Sequence, residues 1–339
     1  MSNPKEILIA APFSPEQMDE LRQMAPDYQV RNLPKSDNQS IPEGTWEHAE
    51  VLYATRALPT PEQAPKLKWI QFHVAGIDAY LDAPIMAKEG LQVTTLSGAN
   101  SPQVAEHALT LLLALGHRVP EMLADQGRSH WSAERLTRFV PSELAGSTVG
   151  IVGYGSVGQR LAQLLQPFGC TLLASRRDLL NVDKADYQAQ GAGDPHGELL
   201  RRLYPGKAIR SLLKECDFVV VTVPLTPETR GLLGARQLEA MKPGAFLVDV
   251  SRGGVVDHTA LAAALDKGQL AGAGLDVFPE EPLPADSPLW AMPNVIVSPH
   301  VAGLSAHYTA RAFELFKQNL QRYLAGEELI SSADLERGY

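Results

Sequence analysis

Cysteine is scarce in this chain: Cys170 and Cys216 are the only two among 339 residues. That excludes a disulfide framework and suits a reducing compartment. Neither thiol stands beside an obvious base, so both read as structural. Paired-cysteine motifs and the His-Glu-x-x-His pattern are also missing, which removes any reason to expect a metal. The longest strongly apolar segment, Ala108 to Leu115, is far too short to span a bilayer. The opening MSNPKEILIAAPF has no basic stretch ahead of a long apolar core, so a soluble, unexported, cytoplasmic protein is expected. Positive charge is outnumbered, 30 Lys and Arg against 39 Asp and Glu, for a formal net charge of −9. Such a surface attracts neither nucleic acid nor an anionic membrane, and an anionic ligand must be met by local basic groups. Low-complexity segments and internal repeats are absent. What remains is 45% hydrophobic and 20% charged, enough chain for two globular domains with substantial cores.

The most informative stretch begins at Thr148, where the apolar run TVGIVG leads into Gly153, Gly155 and Gly158 spaced as G-x-G-x-x-G. This predicts a strand turning sharply into a helix. The first glycine permits the turn, the second lets backbone amides approach a pyrophosphate, and the third seats the helix against the sheet. The helix is predicted from Ser156 to Phe168, followed by Gly169 and a second strand, Cys170 to Ala174. About 20 residues beyond the glycines, an NAD site carries an acid for the ribose 2′-hydroxyl. This chain reads Ser175, Arg176, Arg177 there. A guanidinium grips a 2′-phosphate that a carboxylate would repel, so NADP(H) is favoured over NAD(H).

Strands and helices alternate throughout, which predicts α/β architecture. The first part carries strands near Glu6 to Ala11, Tyr28 to Leu33, Val51 to Ala54, Trp69 to Phe72 and Leu91 to Leu96, with a helix near Pro15 to Ala25. A long helix, capped around Asn100, Ser101 and Pro102, runs through Val104, Ala108, Leu111, Leu112 and Leu115 to about His117 and is expected to bridge two domains. Further strands are predicted at Phe218 to Val223, Ala245 to Val250, Gly272 to Asp276 and Val295 to Val297. Tyr308, Ala312, Phe316, Leu320 and Tyr323 then recur at helical spacing, so a last helix can return to the first domain. The predicted division is a discontinuous substrate domain, 1–118 and 298–339, and a dinucleotide-binding domain, 119–297, with a surface insertion at 178–207.

Three later motifs place polar residues at strand ends: Val250-Ser251-Arg252-Gly253-Gly254, the run from Gly274 through Asp276 to Glu280, Glu281 and Pro282, and Ser298-Pro299-His300-Val301-Ala302-Gly303. With the glycine motif, Val74-Ala75-Gly76-Ile77-Asp78, Val104-Ala105-Glu106-His107-Ala108 and Val223-Pro224-Leu225-Thr226-Pro227-Glu228-Thr229, they resemble the D-isomer-specific 2-hydroxyacid dehydrogenase family, glyoxylate/hydroxypyruvate reductase-like members in particular. The resemblance covers nearly the whole chain. It implies two doubly wound domains, a Rossmann dinucleotide-binding domain inserted in a flavodoxin-like substrate domain.

By that resemblance the catalytic set is Arg252, Glu281 and His300, and the chemistry suits each residue type. A guanidinium can bind the carboxylate of a 2-oxo acid and polarise its ketone. Imidazole can exchange a proton with the alcohol oxygen near neutral pH. A carboxylate on the other ring nitrogen orients the imidazole; family spacing chooses Glu281 over Glu280 for this. The resemblance also implies substrate contacts from the Ala75 and Gly76 amides, Arg252 and His300, with the Ala75 loop closing over the ligand. Cofactor contacts are implied for Gly153, Gly155, Ser156, Val157 and Gly158 at the pyrophosphate and Ser175, Arg176 and Arg177 at the adenosine ribose. Val223 and Pro224 are expected near the adenine, and Thr229, Val250, Ser251, Arg252, Asp276, His300, Ala302 and Gly303 elsewhere along the dinucleotide, with Asp276 facing the nicotinamide carboxamide. His107 is read as a packing or hinge residue. The expected activity is hydride transfer from NAD(P)H, with NADPH favoured, to C2 of a small 2-oxo acid such as glyoxylate or hydroxypyruvate, in a homodimer. The alternatives are an NAD-linked dehydrogenase of another 2-hydroxy acid and a dinucleotide-sensing, corepressor-like scaffold.

Overall fold

The computed structural model describes residues 5–33, 41–42, 44–179, 187–188, 193–335 and 338. The chain forms two compact units. One runs to Asn100 and resumes at Ser305; the other spans Ser101 to Leu304, except that Tyr187 and Gln188 belong with the first.

The first unit is built on a parallel sheet of β1 (Lys5–Ile9), β2 (Tyr28–Asn32), β3 (Ala49–Ala54), β4 (Trp69–Phe72) and β5 (Gln92–Thr94), ordered β2-β1-β3-β4-β5. This is the flavodoxin-like order. Every residue of β3 and β4 is buried, as expected of parallel strands covered on both faces. Helix α1 (Pro15–Met24) opens with a capping box in which Ser14 and Gln17 satisfy each other's amides. The C-terminal helix of the chain, Tyr308–Ala325, lies in this unit, with Phe316 stacked on Trp69 and edge-on to Tyr53.

In the second unit α2 (Ser101–Gly116), α3 (Val119–Gly127) and α4 (Arg135–Arg138) precede the sheet. Strand β6 (Thr148–Val152), helix α5 (Ser156–Leu165), β7 (Thr171–Arg176) and β8 (Arg202–Pro205) follow, then α6 (Ile209–Leu213), β9 (Phe218–Val221), α7 (Ala235–Leu238), β10 (Ala245–Asp249), α8 (His258–Asp266), β11 (Leu270–Leu275) and β12 (Val295–Val297). The helix Tyr308–Ala325 closes the series as α9. The seven strands are parallel and ordered β12-β11-β10-β9-β6-β7-β8. Strand order reverses between β6 and β9, and ligands of open α/β sheets sit at such a switch point.

Three expectations need revising. The helix at 101–116 and the segment 298–304, both expected in the substrate domain, group with the second unit. From the helix's stripe of Val104, Ala108, Leu111 and Leu115, the last two pack on glycines, for Gly274 lies so close to Leu111 that an added Cβ would sit 3.0 Å from its Cβ, and Gly272 leaves similar room for Leu115. The expected insertion at 178–207 contributes a sheet strand, because Leu203 and Tyr204 pair with Ala174 and Ser175 and extend the edge; much of the remainder lies outside the described residues. Helix α5 stops at Leu165 rather than Phe168. Pro167 has no N–H to continue the ladder, so a short 3-10 turn and the left-handed Gly169 end it. Among the described residues no helix is long and apolar enough to cross a membrane, and no group of three or more His, Cys, Asp or Glu could hold a metal ion.

Candidate active site

At the switch point the glycine motif has the geometry its spacing requires. Gly153 holds φ +107° and passes so near the chain after β9 that a Cβ would meet Val223 at 2.8 Å. A Cβ on Gly158 would lie 2.4 Å from the Gly153 carbonyl oxygen, so α5 can approach the turn only with glycine there. Around Gly155, by contrast, a Cβ would meet nothing within 4 Å, and no side chain caps the α5 N-terminus. Amides at an uncapped helix start beside open space are what a pyrophosphate needs. Ser156 and Val157 occupy that first turn, half-buried. These residues fit a dinucleotide.

The adenosine side is more interwoven than the sequence suggested. Ser175 is buried, and its carbonyl accepts the amides of Gly153 at 3.1 Å and Tyr154 at 2.9 Å, so the end of β7 holds the glycine turn in place. Tyr154 donates to Asp194 Oδ2 at 2.5 Å, and Asp194 also accepts the amides of Glu198 and Leu199. Arg176 reaches the Pro195 carbonyl at 3.3 Å, while Arg177 is exposed. Val223 is half-buried and Pro224 exposed; the Thr229 hydroxyl donates to the Pro224 carbonyl at 2.6 Å and closes the turn between them.

The three expected catalytic residues follow β10, β11 and β12, whose carboxyl ends are neighbours in the sheet. His300 Nδ1 lies 2.7 Å from Glu281 Oε2, and Glu281 Oε1 accepts the Phe278 amide at 2.9 Å. An ionised carboxylate only accepts, so Nδ1 carries the proton of this bond and Nε2 is left to exchange one with a ligand. Glu281, not Glu280, is the residue folded back across the Phe278 turn to meet the imidazole. Arg252 is half-buried, with Nη1 donating to the Ser251 carbonyl at 2.8 Å. Its neighbour Gly253 couples the two loops, since a Cβ there would lie 1.9 Å from the Phe278 carbonyl oxygen.

Beneath these loops lie two buried carboxylates whose connections the sequence did not reveal. Asp276, expected at the carboxamide, is 1% exposed and engaged by the chain itself: Oδ1 accepts from Ser298 Oγ at 2.6 Å and the Val301 amide at 3.0 Å, and Oδ2 from the Ala302 amide at 2.9 Å. Asp249 is fully buried; its Oδ1 accepts both the amide and the hydroxyl of Ser251, and its Oδ2 has no hydrogen-bond partner. Burial, opposed by the Ser251 bonds and reinforced by Asp276, pushes the Asp249 carboxyl up to about 7. Val250, Ser251 and Ala302 are themselves buried, and the Gly303 carbonyl accepts from Gln103 at 2.9 Å. Ala75 and Gly76 lie in the first unit, half-buried in the bend after β4.

A glycine turn at the switch point of a parallel sheet, followed by a carboxylate-oriented imidazole and an arginine at neighbouring strand ends, defines a nicotinamide-dinucleotide-dependent oxidoreductase. The model of the D-isomer specific 2-hydroxyacid dehydrogenase NAD binding domain matches residues 109–302. The chain is 36% identical over 267 residues to a glyoxylate reductase of Korarchaeum cryptofilum, covering 78% of this chain and 76% of that one. It is 34% identical over 309 residues to a D-3-phosphoglycerate dehydrogenase of Mycobacterium tuberculosis, covering 90% of this chain but 52% of that protein. Among solved structures it resembles a D-isomer specific 2-hydroxyacid dehydrogenase of Xanthobacter autotrophicus in complex with NADPH and MES, with TM-score 0.78, 29% identity and 100% of each chain covered. It likewise resembles an NADPH-dependent glyoxylate/hydroxypyruvate reductase of Sinorhizobium meliloti in complex with NADP and sulfate, with TM-score 0.74, 25% identity, and 99% and 100% covered. The chain belongs to the D-isomer-specific 2-hydroxyacid dehydrogenase family, and it is an NAD(P)-dependent oxidoreductase of 2-hydroxyacid substrates.

Proposed function

We propose that this protein reduces the C2 carbonyl of a small 2-oxo acid, glyoxylate or hydroxypyruvate foremost, with NADPH, giving the D-2-hydroxy acid. The observation that carries the reading is the 2.7 Å bond between His300 Nδ1 and Glu281, which leaves Nε2 as the nitrogen to donate a proton. When bound, the nicotinamide supplies the hydride. Arg252 binds the substrate carboxylate and draws electron density onto the ketone oxygen, and the bond to the Ser251 carbonyl holds its planar group in the loop. His300 Nε2 then gives its proton to that oxygen, while Glu281 keeps the ring aligned and balances the imidazolium before transfer. A small substrate suits a site in which Arg252 supplies much of the recognition.

The NADPH preference rests on Arg176 and Arg177 at the end of β7, where an NAD site needs a carboxylate. A homodimer is supported by five large apolar side chains left exposed within 119–140: Met122, Leu123, Trp131, Leu136 and Val140. The deciding experiment follows loss of reduced-nicotinamide absorbance with NADPH and NADH against glyoxylate, hydroxypyruvate, pyruvate and a phenyl-bearing 2-oxo acid. Faster oxidation with NADPH and a small acid is the expected outcome; equal rates with both cofactors, or turnover of the bulky acid alone, would overturn the corresponding part of the reading.

A further inference from the structure

His300 stands on a strained piece of backbone. Its φ is +52°, in the left-handed region that non-glycine residues seldom adopt, and such a conformation persists only where its surroundings over-determine it. Asp276 supplies much of that restraint. Its backbone carbonyl accepts the His300 amide at 2.9 Å, and its carboxylate takes the next two amides, Val301 and Ala302. Three successive N–H groups converge on one residue, which is the nest a left-handed residue creates.

Asp276 is in turn held from helix α2. Ser298 has a single hydroxyl hydrogen, and the 2.6 Å contact to Asp276 Oδ1 claims it over the 3.5 Å contact to the Leu275 carbonyl. The 3.0 Å contact between His107 Nε2 and Ser298 Oγ therefore has the hydroxyl accepting, so Nε2 of His107 carries a proton. The same nitrogen lies 3.5 Å from Asp276 Oδ1. Gln103, one turn earlier on the same face of α2, donates to the Gly303 carbonyl. One helix face thus grips both ends of the segment that carries His300.

We propose that His107 and Ser298 are positioning residues for His300, acting through Asp276: the Nε2–H of His107 orients the Ser298 hydroxyl, which orients the carboxylate that holds the left-handed backbone in place. The assignment deepens the reading of His300 as proton donor and rests on it. Two of the three readouts that test it need no turnover, so failure of either idea can be told from failure of the other.

The first readout is the imidazole nitrogen spectrum of 15N-labelled protein, in which His107 must show a protonated, pyrrole-like Nε2; a pyridine-like Nε2 refutes the chain of donors. The second is amide exchange at Val301 and Ala302, expected to speed up about tenfold in His107→Leu, the equivalent of one net hydrogen bond. The third is kinetic: kcat falls about tenfold with KM for NADPH unchanged. His107→Gln, which presents an N–H at similar reach, recovers most of the exchange protection and kcat, whereas simple loss of packing would leave Gln no better than Leu. Ser298→Ala gives the same losses, and the double variant with His107→Leu loses no more than either alone, because both break one chain. Unchanged exchange in both single variants, or losses that sum in the double variant, would overturn the proposal.

Discussion

Asp249→Asn isolates the proton carried by the buried carboxyl under the Arg252 loop. With its ordinary value of 3.8 raised to about 7, the native protein keeps this proton between about pH 4 and pH 7 while the unfolded chain gives it up. Unfolding then releases a proton, so stability falls as pH rises through that window and is level above it. At about 1.4 kcal/mol for each factor of ten, the difference between 3.8 and about 7 comes to at most about 4 kcal/mol of native-state destabilisation at pH 8, and close to none at pH 4. Asparagine keeps an oxygen for the Ser251 amide and hydroxyl but cannot ionise. Its new N–H₂ meets the same lack of a partner as Oδ2, a cost of roughly 1–3 kcal/mol that applies at every pH. The informative quantity is therefore the variant-minus-wild-type difference as a function of pH. Thermal melts between pH 4.5 and 8 should show it moving in favour of the variant as pH rises, at roughly 2–4 °C per kcal/mol for a unit of this size. A pH-independent difference would show that Asp249 is ionised in the folded protein, and with it that Ser251 is held by a charge.

His300→Ala should lower turnover by roughly 10²–10⁴ through loss of proton transfer, with NADPH affinity in a fluorescence titration nearly unchanged; equal loss of binding would mark His300 as structural. Arg176→Asp combined with Arg177→Ala should lower the preference for NADPH over NADH more than about tenfold in kcat/KM, because charged phosphate contacts are worth about 1.5–3 kcal/mol each. Gly253→Ala drives a Cβ to 1.9 Å from the Phe278 carbonyl oxygen, backbone that cannot rotate aside, so it should depress the melting temperature and part the Arg252 and Glu281 loops, with kcat falling even at saturating cofactor. Normal activity in that variant would show that the loops move independently.

Local pattern alone determined much of this protein. Apolar runs and period-3.6 spacing placed most strands of both sheets, the glycine spacing placed the dinucleotide turn, and the order of motifs put Arg252, Glu281 and His300 after successive strands, since each of these depends on residues within a turn or a strand of one another. Tertiary structure decided what depends on partners far along the chain. Helix α2 joins the second unit because Gly272 and Gly274, over 150 residues later, leave room for Leu111 and Leu115. Strand β8 was hidden because an edge strand buried on one face carries little hydrophobic signal, and only pairing with β7 makes Arg202 to Pro205 extended. The family resemblance singles out Asp276 only as a carboxamide partner; the amides that converge on it, and the reach of His107 to Ser298 across 191 residues, exist only once β11, β12 and α2 have packed. A sequence names the groups that can donate, accept and titrate, but burial and distance choose among them, and those are properties of the folded chain.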